Sequence, residues 1–415
     1  MEEFKKYLME DLIEEIAMGP FGSNIKVDCF VDSGVPVLNG ANLQGYKLRE
    51  DSFNYVSTEK ADSLNKANAY KGDIVITHRG TLGQIVYIPK DSKYERYVIS
   101  QSQFRVRVNP QVALPEYVVF FFHTRIGQYR LLANASQVGV PAIARPTTTF
   151  KKVEIELPSL KEQERIVGLL NSLSDKIEIN SRINHNLEEQ ARALYKSWFV
   201  DFEPFKGGKF VASELGMIPK GWRIGALSDL GDIVSGGTPS KAKPEYYTNE
   251  GIAWLTPKDL SVRCNKFTSR GEIDITEIGY KNSSAKLMPR GAVLFSSRAP
   301  IGYISIAKGI ICTNQGFKSV VPKYAGTAYL YYWLRENADA IEAQASGSTF
   351  KEASGSLMKS FPAIIPDKSV LDSFEKELSP FFNEQEVLEE EINHAEQIRD
   401  SLLPRLMSGE LVMNC

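Results

Sequence analysis

The chain reads as an α+β protein built from two related, mixed α/β domains and two long helices. Three observations lead there. Apolar residues step by four and three from Ile166 through Leu170, Leu173 and Ile177, cross Asn180 and Asn184, and resume at Leu187, Ala191, Leu194 and Trp198. That spacing is the heptad seam of a helix that pairs with another helix. The same seam recurs 208 positions later, from Phe374 through Leu378, Phe381, Gln385, Leu388, Ile392, Ala395, Arg399 and Leu402 to Leu406. Each helix follows a globular segment, and one offset carries Pro158 onto Pro366, where both prolines close a short extended run (IELP and AIIP). Such self-similarity is a duplication.

The boundaries expected from this pattern are a first domain over 1–157, a helical region over 158–205, a linker over 206–221, a second domain over 222–365 and a second helical region over 366–415. Length and a 43% apolar, 24% charged composition suit a soluble protein of several domains. No run of about 18 apolar residues exists, so a membrane span is not expected. The charged N-terminus has no signal-peptide core. Cys29, Cys264, Cys312 and Cys415 are scattered, which points to a reducing cytoplasm rather than a disulfide framework.

Charge is segregated beneath the net value of −2. Residues 1–155 carry +2, 156–205 carry −3, 206–365 carry +7 and 366–415 carry −8. Acidic helices repel nucleic acid, so a nucleic acid would sit on the globular parts.

In the first domain, Tyr7–Met18 reads as a helix broken at Gly19-Pro20. Strands are expected at 35–39 (VPVLN), Asp73–Thr77, Gln84–Ile88 and Phe104–Val108. Leu114–Ala133 reads as one aromatic-rich helix opened by Pro115, and Ser136–Phe150 as a polar loop. The second domain repeats the plan. Asp11-Leu12 matches Asp229-Leu230, and KGDIVITHRGTLGQIVYI matches RGAVLFSSRAPIGYISIA through Gly72/Gly291, Arg79/Arg298 and Gly83/Gly302. Phe104 is then set against Phe317 and Gly139 against Gly347. Glu203–Trp222, rich in Gly and Pro, reads as a linker.

Catalytic signatures are missing. There is no Gly-rich loop ending in Gly-Lys-Ser/Thr, no acidic or Asn residue followed by Pro-Pro-aromatic, and no GxGxG-like loop after a strand. His78, His123, His185 and His394 are too dispersed for a metal cluster, so no metal site is expected. Polar clusters on loops look instead like a reading surface, because Asn, Gln, Arg, Lys, Ser and Thr bond base edges and phosphates. In the first domain the candidates for DNA contact are Ser23, Asn24, Asn42, Gln44, His78, Arg79, Thr81, Gln101, Gln103 and Arg145. In the second they are Thr238, Ser240, Lys241, Lys243, Tyr246, Tyr247, Lys258, Ser297, Arg298, Asn314, Gln315, Thr349 and Lys351. Positions identical in both halves, such as Arg79/Arg298, must serve something common to both: a phosphate, the same base, or the fold. Positions that differ, such as His78/Ser297 and Thr81/Pro300, are candidates for sequence choice.

IVSGGTPSKAKPEYY, IAWLTPKDL, SSRAPIG and TNQGFKSV in the second half, with GPFGSNI and GDIVITHRGTLG in the first, resemble the specificity subunits of type I restriction–modification enzymes. The helical stretches LPSLKEQERIVGLL, LEEQARALYKSWFVDF and LLPRLMSGEL fit too, so the resemblance covers essentially the whole chain. It implies two target-recognition domains related by a pseudo-two-fold axis and separated by a long antiparallel two-helix coiled coil. Each would read one half of an asymmetric bipartite site in double-stranded DNA. It also implies two modification (methyltransferase) subunits carrying S-adenosylmethionine, joined for restriction by ATP- and Mg-dependent restriction (translocase/nuclease) subunits, with no catalysis and no cofactor in this chain.

In such a pair the helix midpoints meet, placing Asn180 and Asn184 near Leu388 and Ile392 or against a bound modification subunit. Phe199, Phe202 and Leu403 belong either to a docking patch or to the core. A scaffold with two heads that bind something other than DNA is the alternative reading.

Overall fold

The computed structural model describes residues 4–20, 24–136, 139–262, 265–347 and 351–411. It divides into two units, residues 1–177 with 394–415, and residues 178–393. The long helices run Leu160–Phe199 and Lys368–Met407, and each contributes one half to each unit. Among the described residues no helix is long and apolar enough to cross a membrane.

The first unit is organised on a four-stranded antiparallel sheet in the order Ile13–Met18, Gln103–Val108, Ile74–Thr77, Ile85–Tyr87. Ile74, Ile76, Phe104 and Val106 are fully buried on one side, against the apolar helix Pro115–His123. A five-stranded sheet, Phe30–Val31, Asn54–Val56, Val35–Val37, Arg96–Val98 and Asn68–Tyr70, completes the domain. Ile166, Val167 and Leu170 of the first long helix and Leu403, Leu406 and Met407 of the second join the main core. Leu403 is thus a core residue and not part of a docking patch.

The second unit repeats the sheet as Gly231–Ser235, Lys318–Pro322, Val293–Ser297, Ile301–Ala307, with Phe267–Thr268 added at the edge. Its core joins the aromatic helix Thr327–Gln344 to Ala191, Tyr195 and Phe199 of the first long helix and Phe374, Leu378 and Phe382 of the second. Asn180 donates to Glu391 (2.9 Å), Gln385 to Glu188 (3.2 Å), and Phe199 meets Phe374 edge-on at 4.7 Å. Numbers rise along one helix as they fall along the other, so the pair is antiparallel. Asn180 is buried in the seam, and Asn184 reaches Glu389 beside Leu388. Phe199 is buried, and Phe202 packs on Trp222 (5.6 Å) and Phe210 (6.0 Å), which places both with the core.

The helices hold the domains through backbone groups. In the first unit Gln163 accepts from Leu114 N (2.9 Å) and donates to Val112 O (3.0 Å), at the start of the helix Pro115–His123. In the second, Glu375 accepts from Ala328 N (3.1 and 3.2 Å) at the start of Thr327–Gln344. Glu389 accepts from the backbone N–H groups of both Lys266 (2.8 Å) and Phe267 (3.1 Å).

Four expectations need correction. Tyr7–Met18 is not a helix: Lys5–Leu8 is a strand paired with Glu154–Leu157, Met9–Leu12 is one turn, and Ile13–Met18 is the sheet edge. Pairing across the sheet overrides local helix propensity. Leu114–Ala133 is two helices, because the Thr124 hydroxyl accepts from Gly127 N (3.0 Å) and caps a new one, Arg125–Leu132. The expected loop Ser136–Phe150 contains the start of a short helix, Pro146–Lys151. The stretch read as a linker holds a hairpin, Phe210–Ser213 with Gly216–Pro219, anchored by buried Ile218 and Trp222.

Candidate nucleic-acid interface

The duplication can be checked bond by bond. Asp11 accepts from Leu8 N (3.0 Å) and Asp229 from Ala226 N (3.1 Å), closing the same one-turn helix in each unit. Gly72 and Gly291 share φ = +86°, the left-handed region glycine adopts without cost. Ile143 N donates to His78 O (2.9 Å), as Ala353 N does to Ser297 O (2.9 Å).

The ladder corrects one pairing. Thr77 faces Gln103, and its counterpart Ser296 faces Phe317. Gly19 N donates to Gln103 O (2.9 Å), and Gly236 N to Phe317 O (3.3 Å). Phe317 therefore stands where Gln103 does, and Phe104 corresponds to Lys318. The same count pairs Ser100 with Asn314 and Gln101 with Gln315. A Cβ on Gly19 would lie 1.9 Å from Ser100 O, and one on Gly236 1.9 Å from Asn314 O, so both glycines are required by the same close approach.

The loops at this end of each sheet enclose a cleft, of about 700 Å³ in the first unit and about 670 Å³ in the second. Of the sequence candidates, Asn24, His78, Arg79 and Gln101 line the first. Thr238, Lys241, Tyr247, Lys258, Arg298, Asn314 and Gln315 line the second. Gln44, Thr81, Arg145, Ser240, Lys243 and Lys351 are exposed but lie outside the clefts, and Ser23 and Thr349 lie outside the described residues.

Four candidates are withdrawn by burial. Asn42 is spent on its own loop, accepting from Asn39 N (2.9 Å) and donating to Arg49 O (3.0 Å) and Ser52 O (3.1 Å). Gln103 accepts from Ser100 N (2.9 Å) and is 1% exposed. Ser297 is buried in the ladder, and the ring of Tyr246 is buried with its hydroxyl bonded to Lys243 (3.0 Å). Conversely, Lys66, Lys151 and Trp254 line the clefts without having been singled out. Lys151 directly follows a polar cluster and Trp254 sits in the quoted IAWLTPKDL, whereas nothing around Lys66 marks it.

Among the described residues the first cleft holds Lys66, Arg79 and Lys151 and no carboxylate. Burial pushes the His78 imidazole below its ordinary range, and Arg79 beside it acts the same way. The ring is therefore neutral at pH 7, with Nε2 3.1 Å from Gln101 O. The second cleft sets Lys241, Lys258 and Arg298 against Asp259 and Glu272. Asp259 is a structural cap, accepting from Thr256 N and Oγ1 (both 2.7 Å) and from Glu272 N (2.8 Å). Trp254 Nε1 donates to Gly237 O (3.0 Å) and Tyr247 Oη to Pro239 O (2.7 Å), so these aromatics fix the 237–239 loop. Arg298 (3.5 Å) and Lys318 (3.2 Å) both lie on Glu352, whose counterpart in the first unit is Ala142. Cationic clefts rimmed by amide and hydroxyl side chains are equipped to bind phosphates and base edges.

Comparison with known proteins agrees. A model described as the type I restriction modification DNA specificity domain matches the chain twice, over residues 13–189 and 219–397. The chain is 25% identical over 477 residues to the type I restriction enzyme HindI specificity subunit of Haemophilus influenzae, covering 99% of this chain and 100% of that one. It is 21% identical over 417 residues to the putative type I restriction enzyme MjaX specificity subunit of Methanocaldococcus jannaschii, covering 99% and 94%. The crystal structure of a type I restriction–modification S subunit from M. genitalium shares the fold, with a TM-score of 0.65 at 14% identity over 100% of this chain and 97% of that one. The match in both halves is to a DNA-specificity domain and does not favour a scaffold for some other ligand. The chain belongs to the family of type I restriction–modification DNA specificity subunits, non-catalytic components through which DNA sequence is recognised.

Proposed function

We propose that each domain reads one half of an asymmetric, bipartite duplex site through its cleft. The long helices set the unread spacer and carry two modification subunits. Those partners methylate adenine, and restriction subunits join them for cleavage. S-adenosylmethionine, ATP and Mg²⁺ belong to the partners, and the complex works in the cytoplasm.

The observation that supports this reading is the pair of clefts at equivalent loops. They share an arginine (Arg79, Arg298) but differ around it: His78, Lys66 and Lys151 line the first, and Lys241, Lys258, Asp259 and Glu272 line the second. A common cation suits the backbone present at every site, and differing neighbours suit two different half-sites. The test is the chain co-purified with its modification subunits, read by methylated-adenine mapping and by salt-dependent duplex binding. The expected result is methylation at one bipartite sequence and affinity that falls steeply with salt. Binding to all duplexes alike, or methyl transfer by the isolated chain, would refute it.

A further inference from the structure

Beside the shared arginine, the corrected register pairs a second identity, Gln101 with Gln315. Both are exposed, both line their clefts, and both sit just before the strand that faces the arginine-bearing loop. Their backbones are fixed. Gln101 O meets His78 Nε2 (3.1 Å) and Ser102 O accepts from His78 N (2.9 Å). In the second unit Asn314 N donates to Leu255 O (2.9 Å) and Gln315 O accepts from Lys318 Nζ (3.4 Å).

Neither amide nitrogen is used by the fold. Among the described residues the Gln101 amide has no hydrogen-bond partner, and the Gln315 amide nitrogen has none. Gln315 Oε1 accepts from the Thr238 hydroxyl, which leaves its second lone pair open. An exposed amide on a rigid loop, repeated at one position in two domains that otherwise diverge, serves a ligand feature present twice.

An uncharged carboxamide adds little to phosphate binding, whereas it matches adenine through paired bonds to N6 and N7. The charge of Arg79 and Arg298 suits the phosphates instead. Resting on the half-site reading above, we propose that Gln101 and Gln315 read the same base pair, adenine with thymine, once in each half-site.

The test is selection from duplexes randomised in both half-sites, using the complex of chain and modification subunits. The wild type is expected to select an A·T pair at one matching position in each half-site. Gln101→Ala should flatten that position in one half-site only, and Gln315→Ala in the other, each by roughly 5- to 150-fold in discrimination. Gln101→Glu should shift the choice toward cytosine, whose N4 amine a carboxylate accepts. Arg79→Ala should weaken all duplexes alike and reduce the salt slope by about 0.9. A wild-type site with no shared A·T pair, or a Gln101→Ala complex that keeps every preference, overturns the proposal while leaving bipartite recognition intact. A wild-type complex that selects no sequence overturns both.

Discussion

Lys266 is heavily bonded within the second unit, and its partner Glu188 offers a sharp test of the packing. Lys266 Nζ donates to Glu188 Oε2 (2.8 Å), Gln385 Oε1 (2.8 Å) and Tyr332 Oη (3.1 Å), and lies 3.6 Å from the centre of the Phe382 ring. Arg335 bonds the other Glu188 oxygen. Burial works against the Glu188 carboxylate, yet Lys266, Gln385 and Arg335 together hold it below its ordinary range. Glu188→Ala would leave an ammonium that is 6% exposed among aromatic rings without its carboxylate. Removing one partner of a buried pair costs about 3–5 kcal/mol. For a unit of this size that lowers Tm by roughly 6–20 °C. All four tryptophans (Trp198, Trp222, Trp254 and Trp333) lie within residues 178–393, so fluorescence-detected urea unfolding reports this unit alone. Glu188→Leu combined with Lys266→Met should recover most of the loss, since an apolar pair of similar volume replaces a buried ion pair at little cost. A Glu188→Ala loss under about 1 kcal/mol would refute the assigned role of the pair.

Four further outcomes follow. Burial pulls Lys266 down to about 8 from an ordinary 10.5; between those values the folded chain holds fewer protons than the unfolded one, so this group's contribution to stability rises with pH. Lys266→Met should abolish that part of the slope in unfolding measured from pH 8 to 10. Glu352→Ala frees Arg298 and Lys318, as Ala142 already leaves Arg79 unopposed, and should raise duplex affinity at low salt and steepen its salt dependence by about 0.9 per cation engaged; an unchanged slope in gel-shift titrations would argue against it. Removing one matched heptad from each long helix removes about 10 Å of rise and should shorten the unread spacer by about three base pairs with both half-sites unchanged, as read by methylation mapping. Burial pushes the Cys312 thiol up to about 12, so at pH 8 thiol reagents should label the partly exposed Cys29 in the native chain and reach Cys312 only after unfolding.

The long helices were legible because a heptad seam is a local pattern, and burial of Ile166, Leu170, Ala191, Phe374, Leu378 and Leu406 follows it. The repeat was legible wherever glycine or arginine geometry is shared. It slipped at Phe104/Phe317 because matching by residue type rewards two phenylalanines, while the ladder counts positions and sets Phe317 against Gln103. Ile13–Met18 carries an apolar spacing that a helix or a strand could use, and only its partner Gln103–Val108 decides. In the clefts, loop polarity found Arg79, Lys241, Lys258 and Arg298 and the amides that line them, but not Lys66 or Lys151. It could not tell Asn42 and Gln103, whose amides close their own turns, from Gln101, whose amide does not. Lys66 was invisible because its neighbourhood is set by the fold and not by its sequence.

Gln163, Glu375 and Glu389 each grip main-chain amides of the domain they hold. Every amino acid except proline offers that N–H, so these particular bonds, unlike the Lys266 side-chain contacts and the shared cores, are indifferent to what the gripped residues are. A residue gripped in this way can drift while its hold on the helix is inherited unchanged, whereas the side chains of the shared cores must change together with the helices they meet.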